Sequence, residues 1–250
     1  MQNSVLVGLS RQIALTRELD VVANNIANMN TNGFKADGSV FEEYLSSLAR
    51  GAADTRVSFV RDRATWTDLS AGPFEHTGNA LDVAINGEGY FAVQTQRGVR
   101  YTRNGSFQIA PNGQIVTANG DPVLGEGGPI TLQPTDRQIS IAPDGTVSVR
   151  EGSATADSQR GKLRVVTFPN GAGLQKDGNA TFNWVGAGAP ADSKTATLAQ
   201  GTLEKSNVRG VVEMSRMIEI TRSYTQIAAM LQQQSDLGQS SIDKLADVPN

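Results

Sequence analysis

Residues 208–245 read VRGVVEMSRMIEITRSYTQIAAMLQQQSDLGQSSIDKL, and this stretch decides the fold. Met214, Met217, Thr221, Tyr224, Ala228, Leu231, Ser235, Gly238, Ile242 and Leu245 step by alternating three and four residues. That is the period of a helix whose apolar seam lies against another helix. Ile218, Ile220 and Ile227 widen the stripe, and Ser206 with Asn207 supplies N-cap side chains just ahead of Val208. Glu213 with Arg216 and Glu219 with Arg222 sit one turn apart, but such exposed pairs contribute only a few tenths of a kcal/mol. The seam therefore sets the requirement: this helix needs a partner.

The other end of the chain offers one. From Ser4 to about Asn28, Leu9, Ile13, Leu15, Leu19, Val22 and Ile26 recur at helical steps without an internal proline, and Gly8 is the one weak point. The run Asn28-Met29-Asn30-Thr31-Asn32-Gly33 is expected to end the helix, because Asn and Gly accept the left-handed backbone of a C-terminal cap. Phe34 then resumes in a new direction.

The middle changes character. Asn86-Gly87, Asn104-Gly105, Asn112-Gly113, Asn119-Gly120, Asp144-Gly145, Asn170-Gly171 and Asp177-Gly178 punctuate short β-rich runs, the signature of successive hairpins. Residues 107–113 and 139–145 echo each other, each a short strand entering a Pro-Asn/Asp-Gly turn. The fold class expected is α+β: N- and C-terminal helices paired as a coiled coil around an inserted, mainly-β domain. The boundaries expected are 1–35 and 202–250 for the helical halves, 36–71 for an irregular connector and 72–201 for the β domain, which should fold alone.

Composition closes off much chemistry. The 250 residues contain no cysteine and one histidine, His76, which excludes disulfides, thiolate nucleophiles, Cys-based zinc sites and any two-His metal site. A formal charge of -3 without long single-sign runs argues against nucleic acid. Met1-Gln2-Asn3-Ser4, followed by Arg11, Arg17, Glu18 and Asp20, lacks the pattern of a secretory signal peptide, which read alone points to the cytoplasm. Glycosidase-type carboxylates could be sought among Glu42, Glu43, Asp62 and Asp68, but nothing in their spacing selects them. Gly125-Glu126-Gly127-Gly128-Pro129 has no helix after it that would use it for phosphate, so it reads as a loop. Neither catalytic residue, metal, cofactor nor small-molecule substrate is expected.

The two ends carry more specific signals. Ala23-Asn24-Asn25-Ile26-Ala27-Asn28-Met29-Asn30-Thr31-Asn32-Gly33-Phe34-Lys35 resembles the amino-terminal signature of bacterial flagellar rod and hook proteins. Its carboxyl-terminal companion is present as Gln200-Gly201-Thr202-Leu203-Glu204-Lys205-Ser206-Asn207-Val208, then Val212-Glu213-Met214, Met217-Ile218 and Arg222-Ser223-Tyr224. Residues 77–91 and 101–105 resemble the β domain of the same family, so the resemblance spans nearly the whole chain. Length, with residues 7–12, 17–20 and 41–45, is most similar to the proximal-rod member, with the distal-rod member the runner-up.

The resemblance implies a structural subunit exported unfolded, without a cleaved signal peptide, through the flagellar type III apparatus into the periplasmic space. There it would polymerise with copies of itself and other rod proteins into a torque-bearing tube around the export channel, the β domain packing outside. The assembly interface expected comprises Leu9, Ile13, Leu19, Val22, Asn24, Asn25, Ile26, Asn28, Thr31, Gly33 and Phe34, with Ser206, Asn207, Val208, Met214, Met217, Ile218, Thr221, Tyr224, Ala228 and Leu231. Uncharged Gln226, Gln232, Gln233 and Gln234 are candidates to line the channel. The competing readings are a soluble β-domain ligand-binding protein with dimerising helices and a secreted adhesin or effector.

Overall fold

The computed structural model describes residues 2–46, 57–152, 156–169, 173–178 and 180–246, with the backbone alone for 2–4, 41–46, 57–64 and 241–246. The chain forms α+β architecture: an N-terminal helix, α1 (Gln2–Ala27), a mainly-β central region, and a C-terminal helix, α2 (Gly210–Ala246). It divides into a helical unit, residues 1–27, 36–68 and 208–250, and a β unit, residues 28–35 and 69–207.

In the helical unit, β1 (Asp37–Ser46) pairs antiparallel with β2 (Val57–Thr67), from Asp37 opposite Thr67 to Ser46 opposite Val57. The expected irregular connector is therefore corrected to a long hairpin. Its apolar residues stand in adjacent couples, Val40-Phe41, Tyr44-Leu45 and Phe59-Val60, which hides the two-residue alternation of a strand. A bulge opposite Val40 and Phe41 leaves Arg63 of β2 without a partner in the register and breaks the alternation further. The side chains of Glu42, Glu43 and Asp62 lie outside the described residues.

Helices α1 and α2 touch within this unit and run in opposite directions. Gly8 abuts Leu231, Arg216 Nη2 donates to Glu18 Oε1 at 2.8 Å, and Asn25 Nδ2 donates to Glu213 Oε2 at 3.5 Å. A Cβ on Gly8 would come within 2.7 Å of Leu231 Cδ2, so the helix's weak point is also where the two helices approach closely. Along α2, Glu213, Met217, Ile220, Tyr224, Ile227, Leu231, Gln234 and Gly238 are half-buried or buried, and Gly210, Arg216, Ser223 and Ala228 are half-buried as well. The frame shares Met217, Tyr224, Leu231 and Gly238 with the expected seam. In the other half, Met214, Thr221 and Ser235 are exposed while their neighbours Glu213, Ile220 and Gln234 are covered, and Ala228 stays half-buried beside Ile227. Polar Glu213 and Gln234 concealed this frame in the sequence. The Ile242 and Leu245 side chains lie outside the described residues.

The β unit is built on a six-stranded antiparallel sheet. Its order is Leu174–Lys176, Thr181–Trp184, Gly98–Thr102, Tyr90–Thr95, Val165–Thr167, Ala191–Asp192. A second, three-stranded sheet runs Asp136–Ile141, Thr146–Glu151, Asp157–Lys162. Val83, Ile85, Phe91, Val93, Phe107, Ile115, Val123, Val147, Val149 and Leu163 form one continuous buried core, with Phe91 and Phe107 in edge-to-face contact.

The echo in the sequence is real at the level of hydrogen bonds. Ala110 N donates to Gln114 O and Gly113 N to Ala110 O; Ala142 N donates to Thr146 O and Gly145 N to Ala142 O. Asn112 and Asp144 each accept a backbone N–H two residues on, and Gly113 and Gly145 adopt φ of 81° and 93°.

Candidate assembly interface

The expected interface residues separate into three groups. Leu9, Ile13, Asn24, Met214, Ile218 and Thr221 are exposed, whereas Leu19, Ile26, Met217, Tyr224, Ala228 and Leu231 are half-buried and Val22 is buried. Leu6, Leu9 and Ile13 make one apolar stripe on α1, and Val211, Met214 and Ile218 make another on α2. Val211 is 76% exposed and Leu6, Leu9, Ile13, Met214 and Ile218 about half, far more than a self-contained helix pair would leave in water.

Asn25 forms the second group. Its Nδ2 donates to Asp37 O at 2.8 Å while its Oδ1 accepts from Asp37 N at 2.9 Å, so the side-chain amide pairs with the start of β1 as another strand would. Thr67 Oγ1 then donates to Asp37 Oδ1 at 2.8 Å. Thus one amide, buried to 1% exposure, docks the hairpin on α1.

The third group lies inside the β unit. After the turn where Thr31 N donates to Asn28 O, Gly33, Phe34 and Lys35 are buried, as is Ser206, and Asn207 is half-buried; Val208, also half-buried, begins the helical unit. Gly33 has φ 68°, and a Cβ there would overlap the backbone of Arg103 and Asn104, so no other residue fits without displacement. Lys176 Nζ stands 4.0 Å over the Phe34 ring. Residues 28–35 and 202–207, expected within the helical halves, fall in the β unit.

Lys35 and Glu204, the most buried charges of this unit, were absent from the expected site. Lys35 Nζ donates to Glu204 Oε1 at 2.5 Å and to Ser70 O at 2.6 Å, and Arg103 Nη1 lies 3.3 Å from Glu204 Oε2. Lys35 and Glu204 each sit within a motif quoted for the resemblance. Their pairing across 169 residues leaves no local pattern that could have revealed it.

Arg103 also stacks over Tyr90, and both line a cavity of about 390 Å³ with Leu69, Glu88, Gly89, Thr167, Phe168 and Leu174. Burial pushes the Tyr90 phenol above its ordinary pKa, against the opposing field of Arg103. Among its described lining residues the cavity pairs neither a nucleophile with a base nor two carboxylates. His76 is exposed on the strand Phe74–His76, opposite Thr202. Among the described residues no cluster of His, Asp or Glu could hold a metal ion. No described helix is long and apolar enough to cross a membrane.

Helical ends with exposed apolar stripes and a hairpin-rich middle fit the class of chains that work by assembling. Comparison with known proteins identifies which. Residues 6–35 match the family described as flagella basal body rod protein, residues 84–149 the flagellar hook protein FlgE/F/G D1 domain, and residues 199–244 the flagellar basal body rod FlgEFG protein C-terminal. The chain is 38% identical to the flagellar basal-body rod protein FlgF of Caulobacter vibrioides, covering 99% of this chain and 100% of that protein. It is 36% identical to FlgF of Mesorhizobium japonicum, over 98% of each, and 34% identical to FlgG of Bacillus subtilis, over 90% of this chain and 92% of that one. The chain belongs to the flagellar basal-body rod protein family. It is a structural subunit of the flagellar rod rather than an enzyme, and the relatives from Caulobacter vibrioides and Mesorhizobium japonicum, matched over 98% or more of their length, carry the name FlgF.

Proposed function

We propose that this subunit occupies the proximal rod, exported unfolded without a cleaved signal peptide by the type III apparatus and assembled in the periplasmic space. In this reading α1 and α2 of one chain pair as a coiled coil, and their outward stripes pack against neighbouring copies and against other rod proteins, including FlgG-like ones. The tube so formed transmits torque and surrounds the export channel. The observation that carries the reading is the exposure of Leu9, Ile13, Met214 and Ile218 on two helices that already touch along other faces. Covering each such side chain would contribute about 1–2 kcal/mol, and repetition along a polymer multiplies it. Exposed Gln226, Gln232 and Gln233 fit an uncharged, hydrated lumen wall that neither traps charge nor binds apolar side chains.

The test is the double substitution Leu9→Asp with Ile218→Asp in motile cells. Rod incorporation and swimming should be lost while the purified chain keeps its β-unit unfolding transition. Normal incorporation of that variant would refute the stripes as the polymer contact.

A further inference from the structure

Glu204 stands where three distant pieces of chain meet inside the β unit. Its Oε1 accepts from Lys35 Nζ at 2.5 Å and from Gly72 N at 3.1 Å, and its Oε2 faces Arg103 Nη1 at 3.3 Å. Around it the backbone is stitched as well. Gly33 N donates to Glu204 O at 2.7 Å, Lys205 N to Pro73 O at 2.9 Å and Asn207 N to Phe34 O at 3.4 Å. Lys35 is 0% exposed, Glu204 1% and Arg103 5%.

Arg103 is anchored to the core that surrounds it. Nη1 also donates to Ile85 O at 3.0 Å and Nη2 to Gly87 O at 2.7 Å, the carbonyls at the end of the strand Val83–Asn86 and just beyond. The guanidinium therefore cannot swing into water without giving up bonds to a core strand. A chain in which residues 203–207 are not yet available would have to bury Arg103 without the carboxylate that it faces. An uncompensated buried charge is among the most unfavourable features a fold can carry.

We propose that the Lys35–Glu204–Arg103 cluster is a closing latch: the β unit completes its fold only when both ends of its own sequence, residues 33–35 and 203–207, are present together. A partly delivered chain is then held open, whichever end leads, because the latch draws one partner from each end. This consequence for delivery rests on the export reading proposed above; the folding step does not. The alternative order is well defined. The apolar core from Val83 to Leu198 contains none of the latch residues and could close first, with the ends docking afterwards.

Pulse-labelling hydrogen exchange during refolding of the full chain separates the two orders. With a latch, the amides of Val83 and Val93 gain protection in the same kinetic phase as those of Gly33 and Lys205. Protection of the core amides in an earlier phase would overturn the proposal. A variant series tests the charge itself in the native state. Glu204→Leu should cut core amide protection by roughly 100-fold or more, the loss expected when one partner of a buried pair is removed. Lys35→Met with Glu204→Gln, which leaves Arg103 a neutral acceptor and fills the lysine's path, should recover most of it. Unchanged protection in Glu204→Leu, or no recovery in the double variant, would also overturn the latch. None of these outcomes touches the polymer contacts, so the latch can fail while the rod reading stands.

Discussion

The β unit and the helical unit handle buried and apolar groups in opposite ways. In the β unit, Phe91, Val93, Val123, Val147 and Val149 have no exposed surface, and the buried charges Lys35 and Glu204 are paired with each other. In the helical unit, Ile220 and Val22 are covered while Leu6, Leu9, Ile13, Val211, Met214 and Ile218 stand in water. The first unit obtains what it needs from its own chain. The second leaves apolar area in water, which the proposed polymerisation would bury, since isolated helices in water are marginal without tertiary packing.

The β unit is most vulnerable at its centre. Phe91→Ala removes a fully buried ring that packs edge-to-face on Phe107, and should destabilise that unit by about 3–5 kcal/mol in urea unfolding. A loss below about 1 kcal/mol would mean that the core is far looser than its burial implies.

Gly33→Ala is next in size. It forces an alanine into φ near +68° and against the backbone of Arg103 and Asn104, so a loss of roughly 2–3 kcal/mol is expected, read in the β-unit transition although Gly33 follows α1 in sequence. A change confined to helix content would assign Gly33 to the helical unit instead.

A smaller effect sharpens the contrast in acid. Arg160 grips Asp136 through two bonds, Nε at 2.8 Å and Nη2 at 2.6 Å, and holds its carboxyl below the ordinary carboxylate pKa. Because the folded pKa lies below the unfolded one, this contribution is present above about pH 4 and disappears as pH falls through the folded value. Asp136→Asn should flatten the acid limb of the β-unit stability curve; an unchanged acid limb would remove Asp136 from that account.

Local signals were legible and long-range ones were not. The turns at Asn112-Gly113 and Asp144-Gly145 could be read because the chemistry of a tight turn lies within four residues, and the structure repeats them bond for bond. The end helices were legible because their period of about 3.6 residues is local too. The frame of the α2 seam was only half legible, since Glu213 and Gln234 occupy inward positions where apolar residues were expected. The hairpin of β1 and β2 was hidden by its bulge and coupled apolar residues. The link from Lys35 to Glu204 depends on where the chain returns after a whole domain, so no window along the sequence could show it.

The most direct test of the contrast between a self-sufficient β unit and a helical unit completed by neighbours is hydrogen exchange on the soluble monomer. Amides of Val83, Phe91 and Val93 should be strongly protected, while those of residues 9–26 and 211–231 exchange almost freely and become protected only on polymerisation. Strong protection of both helices in a verified monomer would contradict this account.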